Sequence, residues 1–343
     1  MAAWAANGFF QAFGWAAVTR VFFAWFPDPS SRGALYSVLS TSQNAGAALS
    51  AVLIPWAVAS AGDWRAAAVV PMAVGLAVAA LVAVAVRAEP SPAGKAAVVP
   101  PGARPGRAAA DAAAGGGLGA VCTVLGDWRQ WTLGLAYVLL SVVRSGVADW
   151  AVHMLAEGPA GALSPEQAGN ALASMELGGF VGGVSAGLIS DGAFGGRRTP
   201  VMLISAALGA GASAVAFSGG ARASLLAAGW GLGHLVPADR AAAVVFFAVG
   251  ALTFAPHVLL GLTSREISPP GAMSSAGGFV KGLGQLGSAL AGVPLSMLQQ
   301  RVGWDAVALG WSACMVGAAV CFAAVLPAER PAEHTGGARS KQE

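Results

Sequence analysis

Long apolar stretches, each bounded by charged residues, proline or glycine, follow one another along the chain. Residues 66–86 and 306–326 contain no Asp, Glu, Lys or Arg, and roughly twenty residues are enough for an α-helix to cross the hydrocarbon core of a bilayer. Neither stretch has the polar face that an amphipathic helix of a soluble protein carries. The pattern predicts nine transmembrane helices, near residues 2–19, 34–59, 66–86, 131–155, 166–190, 200–221, 241–263, 274–299 and 306–326.

One segment interrupts this series after the third predicted helix. Residues 88–128 are rich in proline, alanine and glycine, a composition too biased to pack a core. We therefore expect a linker between two groups of helices. The predicted organisation is a partial N-terminal bundle of three helices (1–87), this linker (88–128), a C-terminal six-helix bundle (129–327) and a tail (328–343).

The composition agrees with a membrane-embedded chain. Of 343 residues, 56% are apolar and only 10% are charged, which is more apolar surface than one water-soluble core can bury. Many of the 48 glycines lie inside the apolar stretches, where small residues let membrane helices approach closely. The lipid bilayer is thus the first predicted partner.

Lysine and arginine are distributed unevenly between the two sides of the predicted helices. Of the 19 such residues, Arg144 and Lys281 lie inside spans, and one side has only Arg65, Arg222, Arg240 and Arg301. The remaining thirteen lie on the other side, and cytoplasmic loops are the ones that collect positive charge. We therefore expect the linker and the tail to be cytoplasmic. Because this rule already explains the loop charges, the net charge of +3 does not indicate nucleic-acid binding.

Several short motifs occur in an order and spacing that match one family of membrane proteins. They are Asn7-Gly8, Gln11, Gly14-Trp15, Ser40-Thr41-Ser42 with Asn44, Asp149-Trp150, Glu176 with Gly178-Gly179 and Gly182, Gly187 with Ser190-Asp191, Glu266 with Pro269-Pro270, Leu290-Ala291-Gly292 with Pro294 and Ser296, and Gly303-Trp304. By these motifs the chain resembles the organophosphate:phosphate antiporters of the major facilitator superfamily. Within them it is most similar to the glucose-6-phosphate translocase branch.

The resemblance implies an all-α membrane fold of twelve helices in two six-helix bundles, of which nine are present here. The match begins at the family's fourth helix, and the predicted orientation likewise requires three helices before residue 1. The implied function is exchange of a sugar phosphate, glucose 6-phosphate first, for inorganic phosphate by alternating access. The implied location is the endoplasmic reticulum membrane, with a plastid or another membrane as alternatives. A non-transporting sugar-phosphate sensor, or an inactive truncated paralogue, is the alternative function.

Arg144 is the first candidate for contact with the phosphate. It follows Trp131 by 13 residues and precedes Leu155 by 11, which places it near the bilayer midplane. An arginine there costs about 2.5 to 3.5 kcal/mol on insertion scales, and such residues usually mark a substrate path. Its planar fork of donors suits a phosphate oxyanion, and in the bacterial glycerol-phosphate transporters a similar arginine binds phosphate. Alternatively, Glu176 on the next helix pairs with Arg144, either permanently or only in the empty state.

Four further polar residues are secondary candidates. Lys281 is predicted about 10 Å down its helix, where it could contact the cargo or extend to the cytoplasmic surface. Gln43 and Asn44 offer neutral donors and acceptors for sugar hydroxyls, or serve as polar contacts between helices. Asp149 lies four residues before His153 on one helical face, which favours a structural or gating role.

Some functions lack the required residues. The sequence has no cluster of metal ligands, no nucleophile–base pair and no phosphate-cradling loop at the usual spacings. We therefore expect no metal, no cofactor and no enzymatic activity. The predicted ligands are a phosphorylated sugar and inorganic phosphate, and the sequence does not indicate an oligomeric state.

Overall fold

The computed structural model describes residues 14–15, 17–26, 32–88, 118–157, 165–217 and 238–329, and these residues form helices joined by turns, without a strand. A first helix, α1, covers residues 17–25. The other α-helices are α2 (Arg32–Ser40), α3 (Ser42–Ala61), α4 (Ala66–Ala85), α5 (Leu118–Leu125), α6 (Trp128–Glu157), α7 (Pro165–Gly192), α8 (Thr199–Phe217), α9 (Ala238–Glu266), α10 (Met273–Leu290) and α11 (Val293–Val325). Short 3-10 turns cover Pro270–Ala272 and Leu326–Ala328.

The predicted all-α membrane fold is confirmed. Among the described residues, six helical segments are long and apolar enough to cross a membrane. They are Ala66–Ala85, Trp128–Trp150, Asn170–Gly192, Thr199–Ala216, Ala243–Glu266 and Val293–Ala328. Most of the first predicted span lies outside the described residues.

The second predicted span is two helices rather than one. A turn at Thr41 separates α2 from α3. The Thr41 hydroxyl donates a hydrogen bond to the Val38 carbonyl at 2.7 Å, and such local side-chain bonds compete with the helical pattern. The apolar run continues through this turn, so hydropathy alone gave no sign of the break.

The eighth predicted span is too long at its C-terminal end. Helix α10 ends at Leu290, and α11 begins at Val293 with Pro294 in its first turn, where a missing N–H costs little. Helix α11 is itself interrupted just before the ninth predicted span, because Gly303 has φ 79° and ψ 172°. That left-handed φ favours glycine and puts a kink in the helix.

Part of the predicted linker is helical. Residues 89–117 lie outside the described residues, but Leu118–Leu125 forms α5. Trp131 donates its indole N–H to the Leu125 carbonyl at 2.9 Å. The end of α5 is thereby fixed to the start of α6.

The chain divides into two compact units. Unit 1 comprises residues 1–27 and 42–105, and unit 2 comprises residues 28–41 and 106–343. Helix α2 therefore groups with the C-terminal helices, whereas the sequence places it in the N-terminal bundle; the bundle boundaries stay a prediction. In unit 1 the Trp25 indole donates to the Arg87 carbonyl at 2.9 Å, and α4 has no buried residue.

The core of unit 2 forms around α6, α8, α9 and α11, where Leu133, Met202, Leu259 and Trp311 are almost fully buried. The backbones of helices α7 and α9 are in direct contact. A Cβ added at Gly250 would meet the carbonyl carbon of Met175 at 2.8 Å, closer than real Cβ contacts. Small residues on both helices allow this packing, as they commonly do in membranes.

Candidate functional site

Arg144 lies near the middle of α6 and faces an aromatic side chain of α9. Its guanidinium carbon is 4.8 Å from the centroid of the Phe254 ring. This is a cation–π contact, in which the ring face attracts the positive charge. Arg144 is partly buried, so α6 and α9 together hold a permanent positive charge inside unit 2.

Tyr137 and His257 form a polar pair beside this contact. The Tyr137 hydroxyl and His257 Nε2 share a hydrogen bond of 3.1 Å, and their ring centroids are 4.6 Å apart. The His257 ring also stacks on Phe254, with centroids 5.7 Å apart. Because Tyr137 precedes Arg144 by two helical turns, the two side chains lie on one face of α6. Arg144, Phe254, His257 and Tyr137 therefore form a continuous row.

Lys281 of α10 borders the same row. Three residues after it, a Cβ at Gly284 would meet the Tyr137 ring at 2.9 Å, so this part of α10 packs directly on Tyr137. Arg144 and Lys281 both act electrostatically on His257. The two basic residues that sequence analysis proposed for the substrate thus share a neighbourhood.

Arg265 is a further buried cation that sequence analysis missed. Its side chain is buried, and Nη1 donates to the Gly261 carbonyl at 2.6 Å and to the Tyr36 hydroxyl at 3.3 Å. A Cβ at Gly277 of α10 would meet its Nε at 2.5 Å. The predicted span stopped at residue 263, which assigned Arg265 to a loop, but α9 continues to Glu266.

Glu176 and Asp149, the proposed gating or charge partners, lie on α7 and α6, and their role stays a prediction. Among the ion pairs of the described residues, none joins Arg144 to Glu176, a partly buried residue of α7. Asp149 is exposed near the far end of α6. The nearby His153 ring lies 5.9 Å from Trp304 between centroids, beside α11.

The two amide candidates belong to unit 1. Gln43 and Asn44 follow one another at the start of α3, where Gln43 is exposed and Asn44 is buried. Their predicted contact with sugar hydroxyls stays a prediction. Within the described ranges, no three His, Cys, Asp or Glu side chains gather as a metal site.

A second polar network surrounds Arg198, between α7 and α8. The Arg198 guanidinium pairs with Asp191 and, through Nε, donates to Glu266 at 3.3 Å. Burial opposes its charge, but the carboxylates of Glu266 and Asp191 raise the pKa of Arg198 above its ordinary value. Asp191 and Glu266, two residues of the sequence motifs, therefore meet at one cation.

This network also satisfies two helix N-termini. Asp191 accepts the backbone N–H of Ala34 at 2.7 Å, in the first turn of α2. Glu329 accepts the N–H groups of Arg198 and Thr199 at 2.6 and 3.0 Å, at the start of α8. Carboxylates are favourable there, because the first N–H groups lack helical partners and the helix dipole is positive.

The sequence of the chain is similar to those of known membrane proteins. The sequence model described as Major Facilitator Superfamily matches residues 1–292. The chain is 32% identical over 318 residues to the membrane sensor protein UhpC of Salmonella typhimurium, covering 88% of the chain and 64% of that protein. It is 29% identical to a "Probable hexose phosphate transport protein" of Chlamydia muridarum (93% and 69% covered). It is 27% identical to a glycerol-3-phosphate transporter of Bacillus subtilis (87% and 64% covered). The chain thus spans about two thirds of the length of these relatives.

Proposed function

The chain belongs to the major facilitator superfamily, and we propose that it is a secondary transporter of phosphorylated sugars, with glucose 6-phosphate as the first choice. The observation that supports this most directly is the position of Arg144 and Lys281 beside the Tyr137–His257 pair, inside the helices of unit 2. The names of the Chlamydia and Bacillus relatives, which refer to hexose phosphate and glycerol 3-phosphate, agree with it.

Charge explains why a phosphate group suits these residues. Like charges repel strongly where water is scarce, since the effective dielectric constant is low. A phosphate dianion between Arg144 and Lys281 would relieve that repulsion. The Arg144 fork can donate two parallel hydrogen bonds to its oxygens, and the Tyr137 hydroxyl can donate another.

Exchange for inorganic phosphate follows from the same charge. A carrier that works by alternating access must reorient its site across the membrane. With the site empty, the positive charge of Arg144 would be moved without a counter-ion, which is unfavourable. Either phosphate or a sugar phosphate supplies that counter-ion, so we expect the two to exchange one for the other.

The first test is uptake of radiolabelled glucose 6-phosphate into proteoliposomes with and without internal phosphate. We expect uptake that depends on internal phosphate, and loss of that uptake in Arg144→Gln. Arg65→Gln is the matched control, because Arg65 is a mostly exposed cation outside unit 2. Normal uptake by Arg144→Gln would refute the site, and uptake without internal phosphate would refute the exchange.

A sensor is the second candidate function. The Salmonella relative, at 32% identity, is named a membrane sensor protein. A sensor would bind glucose 6-phosphate through Arg144 without moving it across the membrane. Binding by the purified chain together with absent exchange would favour this function, whereas absence of both would favour an inactive paralogue.

The membrane that holds the protein stays a prediction. The endoplasmic reticulum follows from the resemblance to the glucose-6-phosphate translocases, with a plastid or another membrane as alternatives. The relatives compared above are bacterial and give the endoplasmic reticulum no support. Expression of a fluorescent fusion in the source cells would identify the membrane.

A further inference from the structure

Arg265 and Lys281 bring two positive charges together at a place other than the Arg144–Phe254 contact. A Cβ at Gly277 would meet Nε and Nη2 of Arg265 at 2.5 Å, so the guanidinium lies against this turn of α10. Gly277 precedes Lys281 by four residues, on the same face of the helix. The guanidinium of Arg265 therefore lies about one helical turn from the start of the Lys281 side chain.

The two guanidinium groups occupy different levels along α9. Arg144 lies over the ring of Phe254, whereas Arg265 bonds to the carbonyl of Gly261. Seven residues separate these two contacts, which is about 10 Å along the helix axis. On α10, Gly277 meets Arg265, whereas Ser288 bonds to Ser145, the neighbour of Arg144, at 2.9 Å. Lys281 therefore lies between the two levels.

The level of Arg265 is also fixed by neighbouring hydrogen bonds. The Gln130 amide donates to the Ser264 carbonyl at 3.1 Å and accepts from the Ser264 hydroxyl at 2.7 Å. Gln130 is in the first turn of α6, two turns before Tyr137. Arg265 thus lies near the end of the helices that the charge distribution predicts to be cytoplasmic.

We propose that Arg265 and Lys281 form a second anion position, which receives inorganic phosphate on the cytoplasmic side of the Arg144 position. The proposal rests on the proposed function, because it assumes that phosphate is one of the ligands. Phosphate entering from the cytoplasm would meet Arg265 first, then Lys281, and then Arg144. Because Lys281 lies between the two levels along α10, it would meet the anion midway along this passage.

The competing explanation is that Arg265 only braces the helices. Its hydrogen bonds to Tyr36 and Gly261 link α2 to α9 and would hold without a ligand. An arginine with a purely structural role would gain nothing from a second cation nearby. Lys281 nevertheless lies close enough for the charge of Arg265 to act on it. Ionisable residues that face the interior of a membrane bundle usually mark an ion or substrate path. Two like charges one turn apart are therefore better explained by an anion than by bracing.

The test is equilibrium binding of ³²P-phosphate to the full chain purified in detergent. We expect two phosphates per chain in the wild type and one in Arg265→Gln, or, where the positions exclude each other, a loss of affinity of roughly tenfold or more. Arg265→Lys keeps the charge and should restore most of the binding. Tyr36→Phe removes the hydroxyl of the brace and should leave phosphate binding unchanged.

The outcomes separate this proposal from the function on which it rests. Binding that is weakened by Arg144→Gln and unchanged by Arg265→Gln refutes the second position and leaves the proposed function standing. The opposite pattern supports the second position and refutes the assignment of Arg144. A loss in Tyr36→Phe equal to that in Arg265→Gln indicates a brace and overturns the proposal, and a wild type that binds no phosphate overturns both. Size-exclusion and thermal-unfolding profiles identify variants that fail to fold.

Discussion

Asp127 combines a helix cap with an ion pair at the start of α6. Its Oδ1 accepts the backbone N–H of Arg129 at 3.0 Å, and its Oδ2 pairs with the Arg129 guanidinium at 2.7 Å. Burial alone would raise the pKa of Asp127, but the hydrogen bonds and charge of Arg129 lower it below the ordinary value of 3.8. The ionised carboxylate therefore stabilises the folded state.

We expect Asp127→Ala to lower the free energy of unfolding by about 0.5 to 2 kcal/mol, the usual range for a lost N-cap. Asp127→Asn should cost less, about 0.3 to 1 kcal/mol, because asparagine keeps the cap and loses only the charge. Since the folded-state pKa is lowered, the contribution of the charge is complete above pH 3.8 and disappears as the pH falls through the folded-state pKa. Thermal unfolding in detergent measures both effects. A loss that begins near neutral pH would contradict this assignment.

Single residues differ in how far sequence predicts their role. Arg144 was identifiable because a charge in the middle of an apolar run is conspicuous without any knowledge of its neighbours. Arg265 was not, because a span was assumed to end before the first charged residue. In the structure the helix continues through Arg265, whose guanidinium donates to the Tyr36 hydroxyl and the Gly261 carbonyl. The Tyr137–His257 bond joins residues 120 positions apart, and only the register of two packed helices determines it.

At the scale of helices, the approach of α7 to α9 depends on missing side chains. A methyl group at Gly250 would collide with the Met175 carbonyl. By contrast, Gly310 of α11 has open space around the same position. The two glycines therefore differ in packing while both occupy helix interiors.

We expect Gly250→Ala to destabilise the protein by about 1 to 3 kcal/mol, the usual cost of overpacking. Gly310→Ala should stabilise it by about 0.5 to 1 kcal/mol, because alanine has the higher helix propensity. Melting temperatures of the two variants, measured in the same detergent, should thus move in opposite directions. Equal melting temperatures for Gly250→Ala and the wild type would mean that α7 and α9 are not in backbone contact.

Apolar runs predicted where most helices lie but not every place where they break. The turn at Thr41 lies inside one continuous apolar run and leaves mean hydropathy unchanged. The kink at Gly303, by contrast, lies between the predicted spans of residues 274–299 and 306–326, where Arg301 and Asp305 interrupt the apolar run. The restart of α11 was signalled by Pro294, which the predicted span of residues 274–299 passed over. Helix ends are decided by such local hydrogen bonds, whereas helix existence is decided by summed apolar character.

At the scale of the whole molecule, orientation in the membrane is a prediction from charge alone. The rule places the Asp191–Arg198 loop in the cytoplasm and Arg65 on the opposite side. These positions suit labelling experiments, because Gly192 has open space around a new side chain and Arg65 is exposed. A cysteine at either position should therefore react with a water-soluble reagent without disturbing the fold.

The experiment uses a chain in which Cys122, Cys314 and Cys321 are replaced by alanine, produced in a bacterial inner membrane. We expect Gly192→Cys to react with a membrane-impermeant maleimide in inverted vesicles and not in spheroplasts. Arg65→Cys should show the opposite pattern, and the cysteine-free parent should not react. If Gly192→Cys reacted in spheroplasts, the orientation would be reversed, and phosphate passing from Arg265 to Arg144 would then be entering from outside the cell. The direction in which the proposed anion positions are filled therefore depends on this measurement.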